Sequence, residues 1–134
     1  MITPLTPQAS SLTAPFWEAT REGELRIQHC DACARFYFYP RTSCRYCQSL
    51  DVRWRPVSGR ATLASYVINR RPMWGTGPQV IALVDLDEGP RLMTNIVDVA
   101  ADPEALTLGM RLEVRFEERG EMFLPMFAPA GGEA

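Results

Sequence analysis

Apolar and polar residues alternate most cleanly near the C-terminal end. Arg111-Leu112-Glu113-Val114-Arg115-Phe116-Glu117 sets an apolar residue between charged ones at every step, the period of a half-buried strand. Upstream, Val80 to Leu86 is a nearly continuous apolar run. Asp87-Glu88-Gly89-Pro90 turns it and Leu92 to Val97 brings it back, which predicts a hairpin. A further strand is expected over Ala61–Ile68, after the turn Val57-Ser58-Gly59-Arg60. A last one follows Gly120 over Met122–Phe127, where Pro125 restricts it to an edge or a bulge. Between the hairpin and the alternating strand, Asp102-Pro103-Glu104-Ala105-Leu106 supports at most one helical turn. Five short strands without a real helix between them close most simply into a small Greek-key barrel of the OB type.

The first third of the chain reads differently. Residues 1–15 are rich in Thr, Ser and Pro, the composition of a flexible leader without a basic start or an apolar run. Phe16-Trp17-Glu18-Ala19-Thr20-Arg21-Glu22 predicts one or two turns of helix stopped by Gly23. A helix this short must dock its aromatic residues on something larger. Leu25-Arg26-Ile27-Gln28 alternates as a strand and delivers the chain to a cysteine-rich turn. The expected organisation is therefore a leader over 1–15, helix and ribbon over 16–52, a barrel over 53–128 and a loose tail over 129–134. Ribbon and barrel pack as one unit, since no linker separates them.

The ribbon carries the strongest chemical signal. Cys30/Cys33 and Cys44/Cys47 form two Cys-x-x-Cys pairs ten residues apart, and they are the only four cysteines of the chain. Two such turns facing each other place four thiolates around one tetrahedral ion, the donor set of closed structural zinc sites. Two disulfides would need an oxidising compartment, and a thioredoxin-type redox pair uses a single Cys-x-x-Cys in a βαβ setting. Iron of the rubredoxin kind accepts the same four sulfurs; zinc is preferred because nothing else in the chain suggests electron transfer. His29, beside Cys30, is expected at the surface rather than in the shell. The aromatic run Phe36-Tyr37-Phe38-Tyr39-Pro40 is expected to cover the cage.

Charge and composition narrow the function. The chain has 134 residues and a formal charge of −2 at pH 7, which argues against general nucleic-acid binding. All fourteen basic residues are arginine, so Schiff-base chemistry and a P-loop lysine are absent. With one histidine and no spare cysteine, no nucleophile–base set can be assembled. Eight arginines, Arg35 to Arg71, stand against the single acid Asp51, a local +7, part of which would balance a tetrathiolate centre. Within this stretch Arg70 and Arg71, beside Met73 and Trp74, are candidates for contact with phosphates or with a partner protein. A cytoplasmic location is expected, where reduced cysteines hold metal. A free-standing thioester hydrolase lacks an evident nucleophile or base pair, and carboxylates such as Asp85 or Asp87 are only arbitrary nominations for one. The rival function is a single-stranded nucleic-acid binder built on the ribbon and the barrel.

The order of parts resembles the zinc-ribbon/OB-fold accessory proteins of acyl-CoA thiolases and thiolase-like aldolases, formerly a domain-of-unknown-function family. The likeness rests on Phe16-Trp17-Glu18, the Cys30 to Cys47 ribbon with Pro40-Arg41, the segment Val80 to Asn95, and Leu108-Gly109-Met110-Arg111-Leu112. It runs from about Phe16 to Phe127. The family usually has Gly after the second cysteine of each pair and often Pro after the third cysteine; here Ala34, Gln48 and Arg45 occupy those positions. The resemblance implies a non-catalytic subunit of a thiolase, aldolase or hydratase complex in lipid or steroid metabolism. Such a subunit binds and stabilises the enzyme and in some cases helps line the path of the CoA thioester. A homodimer formed through Phe123–Phe127 is a further expectation.

Overall fold

The computed structural model describes residues 6–73 and 77–131. A single helix, α1 (Ala14–Arg21), begins with Pro15 in its first turn and buries Phe16, Ala19 and Thr20. The 3–4 spacing of these three places them on one face. Its end is fixed by sequence: Gly23 adopts φ 77°, its N–H donates to Thr20 O and that of Glu24 to Ala19 O. This is a Schellman closure, in which glycine occupies the left-handed position without steric cost.

Three short strands follow: β1 (Arg26–Cys30), β2 (Arg35–Tyr37) and β3 (Val52–Pro56). They form an antiparallel sheet in the order β2-β1-β3. β4 (Arg60–Asn69), β5 (Gln79–Leu86), β6 (Arg91–Ile96), β7 (Arg111–Arg119) and β8 (Met122–Pro129) then close a barrel in the order β4-β5-β6-β8-β7. A 3₁₀ turn over Pro103–Ala105, capped by the Asp102 carboxylate accepting from Glu104 N–H at 2.8 Å, connects β6 to β7. The mainly β architecture expected from the sequence, with a short helix, a ribbon and a five-strand barrel, is what forms.

The barrel interior is built by alternation. Val80, Ala82, Val84 and Leu86 point inward from β5, and Leu92, Thr94 and Ile96 from β6. Phe16, Leu25 and Ile27 belong to the same buried cluster as Leu63, Leu112 and Phe127. Helix and ribbon therefore share one core with the barrel. A second, smaller cluster of Cys30, Tyr37 and Cys44 sits at the cage.

β8 runs to Pro129, with Ala128 only 1% exposed opposite Glu113. One expectation needs correction: β8 is not an outer edge. It pairs with β7 along its whole length, and its other side touches β6 at a single parallel position, Ile96 opposite Phe127. Pro125 faces this loose seam, where its missing N–H breaks no ladder; its carbonyl accepts from Thr94 Oγ1 at 3.1 Å.

Candidate metal centre

β1 ends at Cys30, β2 starts at Arg35, and the turn between them carries Cys33. The second turn presents Cys44 and Cys47. Backbone bonds shape both in the same way: Ala34 N–H donates to Cys30 O at 2.7 Å and Gln48 N–H to Cys44 O at 2.9 Å. Ala34 and Gln48 take φ of 60° and 63°. The left-handed positions expected of glycine are thus kept by residues that carry a Cβ, against a penalty of roughly 1–2 kcal/mol each. Backbone N–H groups also point at sulfur, from Cys33 to Cys30 at 3.4 Å and from Tyr46 and Cys47 to Cys44 at 3.2 and 3.4 Å.

The four Sγ atoms lie within 4.8 Å of one another, with Cys30–Cys47 at 3.6 Å and Cys33–Cys44 at 3.7 Å. Four sulfurs at a zinc–sulfur distance of about 2.3 Å in a tetrahedron stand about 3.8 Å apart. Donor set and spacing both fit a closed tetrathiolate site, and the ribbon is a metal-binding zinc ribbon. Burial opposes ionisation of Cys44, but the Cys47 and Tyr46 N–H groups outweigh it and draw this thiol down to about 6. Burial, with the neighbouring sulfurs, pushes Cys33 up to about 12. Tyr37, beside Cys30 and Cys44, is likewise raised to about 12, mainly by burial.

His29 lies outside this set. Its Nδ1 is 2.7 Å from Asp31 Oδ1, and its ring stacks edge-on against Phe36. Asp31 also accepts a forked pair from Arg55, at 3.2 and 2.7 Å. That bond and the one to His29 hold the carboxyl below its usual range. Gln28, 4% exposed, accepts from Arg41 N–H at 2.7 Å and ties the loop after Pro40 to β1.

Arg70 and Arg71 are exposed in the β4–β5 loop, where Arg71 N–H donates to Asn69 Oδ1 at 3.1 Å. Met73 beside them is 71% exposed; Trp74 lies outside the described residues. This loop borders the β5–β6 side of the barrel, the face that OB folds use for ligands. A cleft there is lined by Gln79, Ile81, Met93, Asn95 and Arg119. Asp85 and Asp87 are engaged by Arg91 and Arg111 through forked bonds of 2.7–3.1 Å. Both carboxylates are occupied in ion pairs.

One feature had escaped the sequence reading. Between α1, the Phe38–Pro40 loop and the β6–β8 seam lies an apolar groove of about 330 Å³, lined by Trp17, Phe38, Tyr39, Met93, Leu124 and Pro125 among others. Tyr39 and Met93 on its rim are 61% and 62% exposed. The available signal was Leu92-Met93, two adjacent apolar residues in a strand that otherwise alternates.

Comparison with known proteins agrees with this geometry. Residues 17–53 match the ChsH2 rubredoxin-like zinc ribbon domain, and residues 54–117 the ChsH2 C-terminal OB-fold domain. A chain of the Ltp2-ChsH2(DUF35) aldolase superposes with a TM-score of 0.84 at 33% identity, covering 94% of this chain and 100% of that one. A protein of Thermomonospora curvata named "Probable enoyl-CoA hydratase alpha subunit" is 36% identical over 86% of this chain, which spans 37% of the relative's length. A DUF35 domain-containing scaffold protein of Methanothermobacter thermautotrophicus is 30% identical over 69% of this chain and 73% of its own. With both domain profiles matched in order and the aldolase chain covered throughout, this protein belongs to the ChsH2/DUF35 family of zinc-ribbon and OB-fold proteins.

Proposed function

We propose that this chain is a non-catalytic subunit that binds and supports a thiolase-fold acyl-CoA enzyme in the cytoplasm and contributes to the path of its CoA thioester. The observation that carries the reading is the likeness, along nearly the whole chain, to the ChsH2(DUF35) chain of an aldolase. The scaffold naming of the archaeal relative points the same way.

In this reading Cys30, Cys33, Cys44 and Cys47 hold one zinc ion. Bound zinc cross-links two turns that have little core of their own, and four sulfur ligands leave no open position for a substrate. Arg70 and Arg71 meet CoA phosphates or an acidic part of the enzyme, using the fork that suits phosphate and carboxylate oxygens.

Co-expression with a thiolase-like reading frame adjacent in the genome tests the reading. A stable complex should co-elute, with about one zinc per chain and no iron colour. The double variant Arg70→Ala/Arg71→Ala should lose about tenfold in CoA affinity or in partner-dependent turnover. Turnover of a thioester by this chain alone would overturn the assignment; unchanged kinetics and binding in the double variant would remove the two arginines from it.

A further inference from the structure

The four sulfurs of the cage are not equally shielded. Cys30 and Cys44 are 0% and 1% exposed, Cys33 is half-buried, and Cys47 is open to solvent. Cys47 Sγ nevertheless touches the most deeply buried of them, lying 3.6 Å from Cys30 Sγ. Cys33 and Cys44 make a second close pair at 3.7 Å. Both close pairs run from one turn to the other, and in one of them an accessible sulfur is backed by an inaccessible one.

The surface beside Cys47 is electropositive. Tyr46, the preceding residue, has two guanidiniums over its ring, with Cζ of Arg35 4.6 Å and that of Arg45 5.3 Å from the centroid. Neither arginine is ion-paired among the described residues. Exposure in an electropositive setting is the environment of reactive cysteines, whereas buried structural ones are inert. Bound zinc keeps its sulfur ligands as thiolates, the form that oxidants attack.

We propose that Cys47 is an oxidative modification site, the sulfur at which a hydroperoxide enters the cage, and that Cys30 captures it as a disulfide with loss of the metal. In the first step the Cys47 thiolate attacks hydrogen peroxide. An S–O bond forms, the O–O bond breaks, sulfur gives up two electrons, and hydroxide leaves to be protonated to water. In the second, the Cys30 thiolate attacks the Cys47 sulfenyl sulfur; an S–S bond forms and a second hydroxide leaves. One peroxide, two thiolates and two protons thus become one disulfide and two waters. Because Cys30 and Cys47 lie on different turns, this disulfide keeps the two turns joined after the ion has gone. A thiol reductant and zinc then restore the cage from turns that are still side by side. The inference is independent of the accessory-subunit reading and adds an oxidant-responsive state to the ribbon.

The test exposes the full zinc-loaded chain to hydrogen peroxide and follows zinc release with a chromogenic chelator. At a stoichiometric deficit of peroxide, a 1,3-dione trap for sulfenic acid should label Cys47 ahead of the other three cysteines. Without the trap, peptide mapping by mass spectrometry should find Cys30–Cys47 as the first disulfide, formed in step with zinc release and reversed by a thiol reductant plus zinc. Cys47→His keeps four ligands of a kind that zinc accepts but removes the exposed sulfur, and should slow peroxide-driven release about tenfold or more. Should that variant fail to hold zinc, the labelling order in the parent chain decides alone. First labelling at Cys33, even labelling of all four, or a first disulfide within one turn, such as Cys44–Cys47, would overturn the proposal. So would zinc that stays bound under excess peroxide, or a parent chain that takes up no zinc.

Discussion

Gly59 and Val114 meet where the barrel closes: a Cβ built on Gly59 would lie 2.5 Å from Val114 Cγ1. Val114 N–H donates to Gly59 O at 2.8 Å, and the residues that follow, Arg60 to Thr62, make the whole β4–β7 ladder. Gly59 also takes φ 78°, so a side chain there meets both a clash and a strained backbone. Gly59→Ala should cost about 2 kcal/mol or more. Urea unfolding, read as a fall in midpoint at constant slope, measures it.

Ala34 and Gln48 present the reverse situation. Both occupy left-handed positions that glycine would fill without a Cβ penalty. Ala34→Gly and Gln48→Gly should each stabilise the protein by about 1 kcal/mol, less what glycine's freedom costs in the unfolded chain. Competition with a chromogenic chelator should show slower metal loss in the double variant. Faster loss would mean that the turns are not under strain.

These positions show what the sequence could and could not convey. Cysteine spacing announced the cage because four-sulfur coordination tolerates few alternatives, and β5 to β7 announced themselves because one face of each strand must be buried. Ala34 and Gln48 had no local reason to be left-handed; the cage geometry imposes it. The groove was illegible for a related cause. Trp17, Tyr39, Met93 and Leu124 are far apart in sequence, and only the packing of α1 against the β6–β8 seam assembles them.

Phe16 is the side chain through which helix, ribbon and barrel meet. It is 6% exposed, lies in the barrel's buried cluster, and its ring is 4.9 Å from Trp17 and 5.6 Å from Phe38. Phe16→Ala should cost about 3 kcal/mol by combined transfer and cavity terms. Proteolysis near Gly23 should accelerate as α1 loosens. A loss below about 1 kcal/mol would mean that helix and barrel are energetically separate.

Acid should weaken the barrel through Asp85 and Asp87. The side-chain bond from Arg91 lowers the Asp85 pKa below its ordinary 3.8, and that from Arg111 does the same for Asp87. A depressed folded-state pKa means that the unfolded chain binds protons first as pH falls. The contribution is thus complete above about pH 4 and is lost as pH drops through the lowered values. Asp85→Asn should remove about 0.5 kcal/mol at neutral pH, the range of a surface pair, and should flatten the acid limb of stability against pH. A curve parallel to the parent's would show that the pair contributes nothing.

Metal removal should separate the two buried clusters. Cys30, Tyr37 and Cys44 form one that is distinct from the barrel core, and three side chains cannot hold the Cys30–Val52 segment against its chain entropy. A tetrathiolate ion supplies on the order of 10 kcal/mol to such a turn pair. The larger cluster, most of whose buried members belong to the barrel, needs no help from it. Chelation should therefore release amide protection in the two cysteine turns, residues 30–34 and 44–48, while β5 and β6 stay protected in hydrogen exchange. Phe36 and Phe38 pack against the barrel and should limit the opening to the two turns rather than to all of β2. Simultaneous loss of protection in ribbon and barrel would show that the shared Phe16–Ile27 core couples them more tightly than the cage does.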